Sequence, residues 1–476
     1  MALPSRIVLA DGEGGAAGMD LPAAWVQTVS SFPDGIPRDR ATLEQTVLPT
    51  LGGFEIPMTD LAVGPDGSVY LLCNVMPMRD GQLKNHVVLV KYSAGGEREW
   101  SRQVPPPEGG MIIAFGIAAD RAGNAYLAGW YQRDEGGQVR QYGYIASYAA
   151  DGESRWSYEV EHLDLRAGSR LIGIDVRGDR VYAVGSAYGQ VTRRSRPEVS
   201  SRSALAVCVN ARNGREVWSQ QYQGQSREST NGIGVAVTSR GRVCISGLYD
   251  ADPLPSDNFP KDRAGFVMGL KANGEADWSI QVGKGNPPAG VAAGQITSLA
   301  FYLAAGRSDE VYVFGQNEAD TPRRGVRRPD VEQTGRFIAR VSSRGRVEWT
   351  TLIPRQFEPF GSGIRQGRHR VGPDGHVHIP CIIDSNIGYP GIIRLDPAGQ
   401  VLGLQVLSKQ RHYDELDAIG FGPAGGIVIS GQHVVPGDGN GRGGLFDENG
   451  VQRHENNRLP AQPPAFFAAA LDVLGE

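Results

Sequence analysis

Three groups of residues in this 476-residue chain have the types and spacing to do chemistry. His376 and His378 alternate in Gly375-His-Val-His-Ile, with His369 just upstream. Alternate residues of a strand project to one side, so the pair could supply two metal ligands, but spacing alone supplies no third. Asp250, Asp252 and Asp257 crowd the segment Tyr249–Arg263, and clustered carboxylates suit Ca²⁺. The EF-hand spacing is absent, and Pro253 and Pro255 restrict the segment, so these three are weak metal candidates. Two stretches are rich in arginine: Arg193, Arg194, Arg196 and Arg202, then Arg323, Arg324, Arg327 and Arg328. A guanidinium fork fits a carboxylate or phosphate. The acidic segment between the two stretches also balances their charge, which describes an ordinary solvated surface.

No GxSxG, HExxH, P-loop or dinucleotide fingerprint stands in a suitable context, so no catalytic residue and no cofactor is assigned. The net charge of −4 gives no basic field for nucleic acid. The four cysteines, Cys73, Cys208, Cys244 and Cys381, form no CxxC pair and lie in apolar runs, which predicts buried free thiols.

The elements that must position these residues repeat. Gly116-Ile-Ala-Ala-Asp-Arg-Ala-Gly-Asn-Ala-Tyr-Leu-Ala-Gly129 is followed, after a variable stretch, by Asp151-Gly-Glu-Ser-Arg-Trp156-Ser. The same order recurs with Leu61-Ala-Val-Gly-Pro-Asp-Gly-Ser-Val-Tyr70 and Trp100, and again before Trp218, Trp278 and Trp349. The interval is roughly sixty residues, longer than a WD or kelch unit. Each unit holds four short apolar or alternating runs separated by Gly, Asp or Asn turns, the pattern of paired hairpins. Four-stranded units in a ring are propeller blades. The sequence therefore predicts an all-β, single seven-bladed β-propeller of four-stranded antiparallel blades. The blades fall at about 58–104, 115–160, 171–222, 232–282, 296–353, 366–407 and 416–476.

The last unit is one strand short, and Ala23-Ala-Trp-Val-Gln-Thr-Val29 reads as a fourth strand with nothing before it. Residues 23–29 are thus expected to complete the last blade and close the ring, removing an open sheet edge. Residues 30–57 then form a linker across the loop face. The sixth unit departs from the pattern: Gly403 stands where tryptophan is expected. A tryptophan repeated at one position after a turn is first a packing residue.

The combination Ile-Ala-x-Asp-x-x-Gly-Asn-x-Tyr-x-x-Gly, a tyrosine-bearing strand and Asp-Gly-x-x-x-Trp-Ser resembles the bacterial β-propeller repeat family, the SBBP-type repeats. Residues 116–160 match best. The resemblance implies the fold, and members that are often exported or surface-attached; it implies no shared catalytic motif.

Loops vary freely on such a scaffold and hold its binding residues. Aromatic residues follow the second strand in three successive units: Trp130 and Tyr131, Tyr188, then Tyr249 and Phe259. These, with Arg193, Arg194, Arg323, Arg324 and Arg327, are the candidate partner-binding residues, expected at exposed loop tips. The reading is a non-catalytic scaffold that binds a protein or carbohydrate partner. Two other classes stay open: a decorating subunit of a larger bacterial assembly, and a propeller lyase or hydrolase with its site at the channel mouth. With no signal-peptide core and no apolar run of about 20 residues, the chain is expected in the cytoplasm, or exported by a leaderless route.

Overall fold

Turn chemistry sets where the strands begin and end. Asp120 Oδ1 accepts the backbone N–H groups of Ala122 at 2.8 Å and Asn124 at 2.9 Å, so the side chain folds the turn around itself. Gly123 then takes φ +76°, a conformation that favours glycine. Apolar runs on both sides are left to pair.

The computed structural model describes residues 23–29 and 50–471, except 52–53, 56–58, 76–77, 80–81, 84–85, 107–109, 164–166, 193–201, 224–228, 251–263, 284–295, 320–334, 354–367, 384–388, 408–412 and 435–464. Its strands include seven four-stranded sheets, antiparallel throughout. Their inner strands, first sheet to seventh, are Thr59–Val63, Ile112–Ala119, Gly168–Arg177, Ser229–Val237, Ile296–Ala305, Arg370–Val371 and Tyr413–Phe421. Each sheet touches the next, and the seventh touches the first. A closed ring of four-stranded sheets is a β-propeller. Among the described residues no helix is long and apolar enough to cross a membrane.

The expectation of a seven-bladed ring is corrected here. Six sheets have inner strands of five to ten residues, whereas that of the sixth is only Arg370–Val371. The chain just upstream pairs elsewhere: Arg368 makes an isolated parallel bridge to Ala418, its N–H bonding the Asp417 carbonyl at 3.0 Å. That detour joins Arg368 to the seventh sheet at the expense of its own. The ring therefore consists of six full blades and one reduced one.

The seventh sheet is composite. Ala23–Val29 lies antiparallel to Ala465–Leu471, with Val26 opposite Ala469 and Thr28 opposite Phe467. The expected linker falls largely outside the described residues, within which Thr50–Leu51 pairs with Phe54–Glu55.

Tryptophans lock each of the first five sheets to the next. The indole N–H of Trp100 donates to Ala150 O at 2.9 Å, Trp156 to Ala211 O at 3.1 Å, Trp278 to Ser343 O at 3.0 Å and Trp349 to Pro397 O at 3.2 Å. Beneath each ring lies a turn glycine of positive φ. A Cβ on Gly152, Gly214, Gly274, Gly345 or Gly399 would stand 2.5–2.8 Å from indole carbons. Gly274 lies under Trp218, which is itself buried. The tryptophan is thus structural, as its periodicity implies. Gly403, opposite Arg394, is the exception, and a Cβ there would meet nothing within 4 Å. The third and fourth strands of the following sheet come from opposite parts of the chain.

Apolar layers fill the spaces between sheets. Between the first and second sheets, Tyr70, Leu72 and Leu89 meet Ile112, Leu127 and Tyr144. All four cysteines are free and buried, and burial pushes the thiols of Cys208, Cys244 and Cys381 up to about 12. They are unreactive core residues.

Candidate functional site

The inner strands bring one residue from each sheet to each level of the central channel. At one level stand Gly116, Gly173, Gly234, Tyr302 and Ala418, together with two opposite charges, Asp60 and Arg368. One step along are Ala62, Ala118, Ala236, Ala304 and Gly420, together with Asp175 and Arg370.

Arg368 crosses the channel. Its Nη1 lies 3.0 Å from Asp60 Oδ2, with side-chain exposures of only 7% and 2%. Its Nη2 donates to Phe115 O at 2.5 Å and Ile172 O at 3.3 Å, and the guanidinium lies 5.2 Å from the Tyr302 ring centroid. One side chain thus ties the sixth sheet to the first, second, third and fifth. Bulges at Phe115 and Ile172 interrupt the inner ladders there and free the two carbonyls it binds. Gly116 leaves the room, since a Cβ there would sit 2.8 Å from Nη2. Asp60 Oδ2 is anchored further by the N–H of Ile117 at 3.0 Å.

Beyond this bridge the channel opens into a chamber of about 350 Å³. Its walls come from the ends of the inner strands, which run straight into the tight turns, so it faces away from the long loops. Alanine, valine and leucine line most of it, with Asp175 and Arg370 among them. The Asp175 carboxylate is fixed by the N–H groups of Val237 at 2.7 Å and Val176 at 2.8 Å. Burial raises its pKa, and these bonds act against the rise. Arg370 Nη1 donates to His369 O at 3.2 Å. Burial lowers its pKa, yet an arginine so placed stays a cation.

The residues singled out in the sequence are distributed differently. Trp130 and Tyr131 are buried, at 2% and 0% exposure, and do not sit at a loop tip. The strand Ala125–Asp134 continues past them, so the tip of its hairpin lies at Asp134–Val139. The Tyr131 hydroxyl bonds Glu159, and Arg133 Nη2 reaches both, at 2.6 Å and 2.9 Å. Tyr142 bonds Glu135 and stacks on His162, centroids 4.1 Å apart. This network stiffens the hairpin, and burial raises the Tyr131 phenol well above its ordinary pKa. Tyr188 is exposed, at 43%, with the Arg202 guanidinium stacked 4.6 Å from its ring centroid. Tyr249 and Asp250 end the strand Val243–Asp250, opposite Thr230 and Ser229. Arg193, Arg194, Phe259, Arg323, Arg324, Arg327, Asp252 and Asp257 lie outside the described residues.

The three histidines do not form a metal site, although His376 and His378 both approach Asp374, at 2.5 Å and 4.0 Å. His376 lies in the turn before the strand Val377–Ile383 and pairs with Asp374. His378 is buried with its ring edge-on to Phe421, and His369 is buried with Nε2 bonded to Tyr312 O at 3.0 Å. Among the described residues no three His, Cys, Asp or Glu side chains are grouped to hold a metal. Burial drives His369 down to about 3 and His378 down to about 4, from 6.5. Below pH 6.5 the unfolded chain therefore takes up protons that the folded one refuses. Stability is full above that pH and is lost as pH falls from about 6.5 toward 3, by at most ~1.4 kcal/mol per pH unit for each histidine. His378→Gln is expected to lower the melting temperature at pH 7 while flattening its fall between pH 7 and pH 4.5. An unchanged slope would contradict this account of His378.

The sequence reading passed over Asp60, Asp175, Arg368 and Arg370. The signal was there: each is a charge at an inner-strand position where most repeats carry glycine or alanine.

Comparison with known proteins supports the fold. No family model matches the chain, and no curated protein does. Among solved structures, the polysaccharide lyase Uly1 is similar at 10% identity and TM-score 0.51, over 90% of this chain and 95% of that one. The β-propeller domain of the trilobed protease from Pyrococcus furiosus has 11% identity and TM-score 0.43, over 80% and 91%. The quinohemoprotein alcohol dehydrogenase from Comamonas testosteroni has 12% identity and TM-score 0.43, over 96% and 77%. At 10% identity the likeness to Uly1 is one of fold alone.

Proposed function

We propose that this propeller is a non-catalytic binding module that presents its loop-bearing face to a protein or carbohydrate partner. The observation that carries the reading is the Tyr188–Arg202 pair. Tyr188 ends the second strand of its sheet and Arg202 begins the third, directly opposite it, so both stand at the loop end. The ring stays in solvent although the guanidinium holds it in place. Arg202 is steadied in turn by Asn231 Oδ1 of the next sheet at 3.2 Å. A pre-ordered Tyr/Arg pair supplies contact area and donors at low entropic cost, which is why both residues anchor interfaces. The neighbouring Tyr131–Arg133–Glu159 network is internally paired, which suits a rigid support better than a reacting group.

The test is retention of a partner from a native extract, and of glycans on an array, by immobilised protein. Tyr188→Ala with Arg202→Ala is expected to lose at least ~10-fold of whatever the wild type retains, at unchanged melting temperature. Equal retention by the double variant would overturn the reading, as would release of a cleaved product from the retained partner.

A further inference from the structure

We propose that the channel chamber is a second binding site, and that it takes a small zwitterion: an α-amino-acid-like molecule with an aliphatic side chain. Asp175 belongs to the third sheet and Arg370 to the sixth, on opposite sides of the ring. Each feels the other's charge. Among the described residues, however, no ion pair joins them; Arg370 donates to the His369 carbonyl, and Asp175 accepts from two backbone N–H groups. A guanidinium has five N–H donors and a carboxylate about four acceptor positions. Both groups thus keep bonding capacity beyond these contacts, and both line the chamber.

The charges on the wall decide the ligand class. Arg368 is matched by Asp60 at 3.0 Å, and Arg370 is balanced by Asp175. The site is neutral overall but polarised, cation on one side and anion on the other. A plain anion would face Asp175 uncompensated, and a plain cation would face Arg370. A molecule with carboxylate and ammonium a few bonds apart satisfies both walls, with its carboxylate on Arg370. The rest of the lining is mostly small, with Ala62, Ala118, Ala236, Ala304 and Gly420 beside Tyr302 and Phe421, and leaves room for a small aliphatic side chain. At about 350 Å³, the chamber lies at the small end of ligand cavities, ~300–1,000 Å³, too small for an oligosaccharide. The Arg368–Asp60 bridge closes it at its inner end.

The site lies at the opposite end of the channel from Tyr188, so it stands or falls independently of the loop-face reading. The experiment is calorimetric titration of the whole chain with L-leucine and L-valine, and with two leucine analogues, 4-methylpentanoate and 3-methylbutylamine. Each analogue lacks one of the two charges. Binding of an amino acid is expected, with each analogue weaker by at least ~10-fold, a loss of about 1.4 kcal/mol. Arg370→Gln is expected to abolish discrimination against the amine, and Asp175→Asn discrimination against the acid. Should either variant fail to fold, the analogue series on the wild type still decides. No heat from either amino acid at millimolar concentration, or equal affinity for leucine and its analogues, would overturn the proposal.

Discussion

Replacing Arg368 with alanine is expected to destabilise the protein by about 3–5 kcal/mol, the usual cost of breaking a buried ion pair from one side. Asp60 would be left with a carboxylate at 2% exposure facing a void. The carbonyls of Phe115 and Ile172, which Nη2 now satisfies, would lose their donor, and a buried polar group without a partner is itself penalised. Lysine cannot substitute, because one ammonium cannot bridge a carboxylate and two carbonyls arranged for a planar fork. The double change Arg368→Met with Asp60→Leu is expected to recover much of the loss, since an apolar pair of similar volume can replace a buried ion pair. Thermal unfolding of the three variants checks this. A single-variant loss under about 1 kcal/mol would show that the bridge is not a keystone of the ring.

The second large effect concerns closure. Removing residues 1–29 is expected to abolish cooperative unfolding and to produce aggregates. Ala465–Leu471 reads Ala-Phe-Phe-Ala-Ala-Ala-Leu and now lies between Ala23–Val29 and Ile427–Val434. Stripped of its outer partner, it would expose an uncharged, aromatic edge without proline, the kind of strand that recruits other chains. The ring would also lose the outer strand of its seventh sheet. A soluble, cooperatively melting truncation would refute this expectation.

Much of the architecture was legible because it is local. Turn residues, alternation and the periodic tryptophan each act within one hairpin or between adjacent sheets, so they leave a repeating mark on the sequence. The reduced inner strand of the sixth sheet was not legible, because it depends on Arg368 pairing with a different sheet. Strand length misled at Trp130 and Tyr131: three more residues of ladder, Gln132–Asp134 against Val139–Gln141, turned expected tip residues into core. The channel groups were hidden for another reason. Arg368 and the Phe115 carbonyl stand 253 residues apart, and only ring closure brings them together. Charges at small-residue positions were the trace such a site leaves in a repeat.

The most direct test of the account is a cross-link through the closing pair. Val26 and Ala469 lie opposite each other in the register of the composite sheet, and directly paired antiparallel residues have Cα separations of about 4.5–5.5 Å, within disulfide range. Val26→Cys with Ala469→Cys should oxidise to an intramolecular disulfide, read by mass spectrometry of the intact chain and its digest. The native cysteines are buried and should not compete. The account predicts a monomeric, cross-linked chain with a raised melting temperature. Two free thiols after oxidation, or disulfide-linked dimers in their place, would contradict a ring closed by its own two ends.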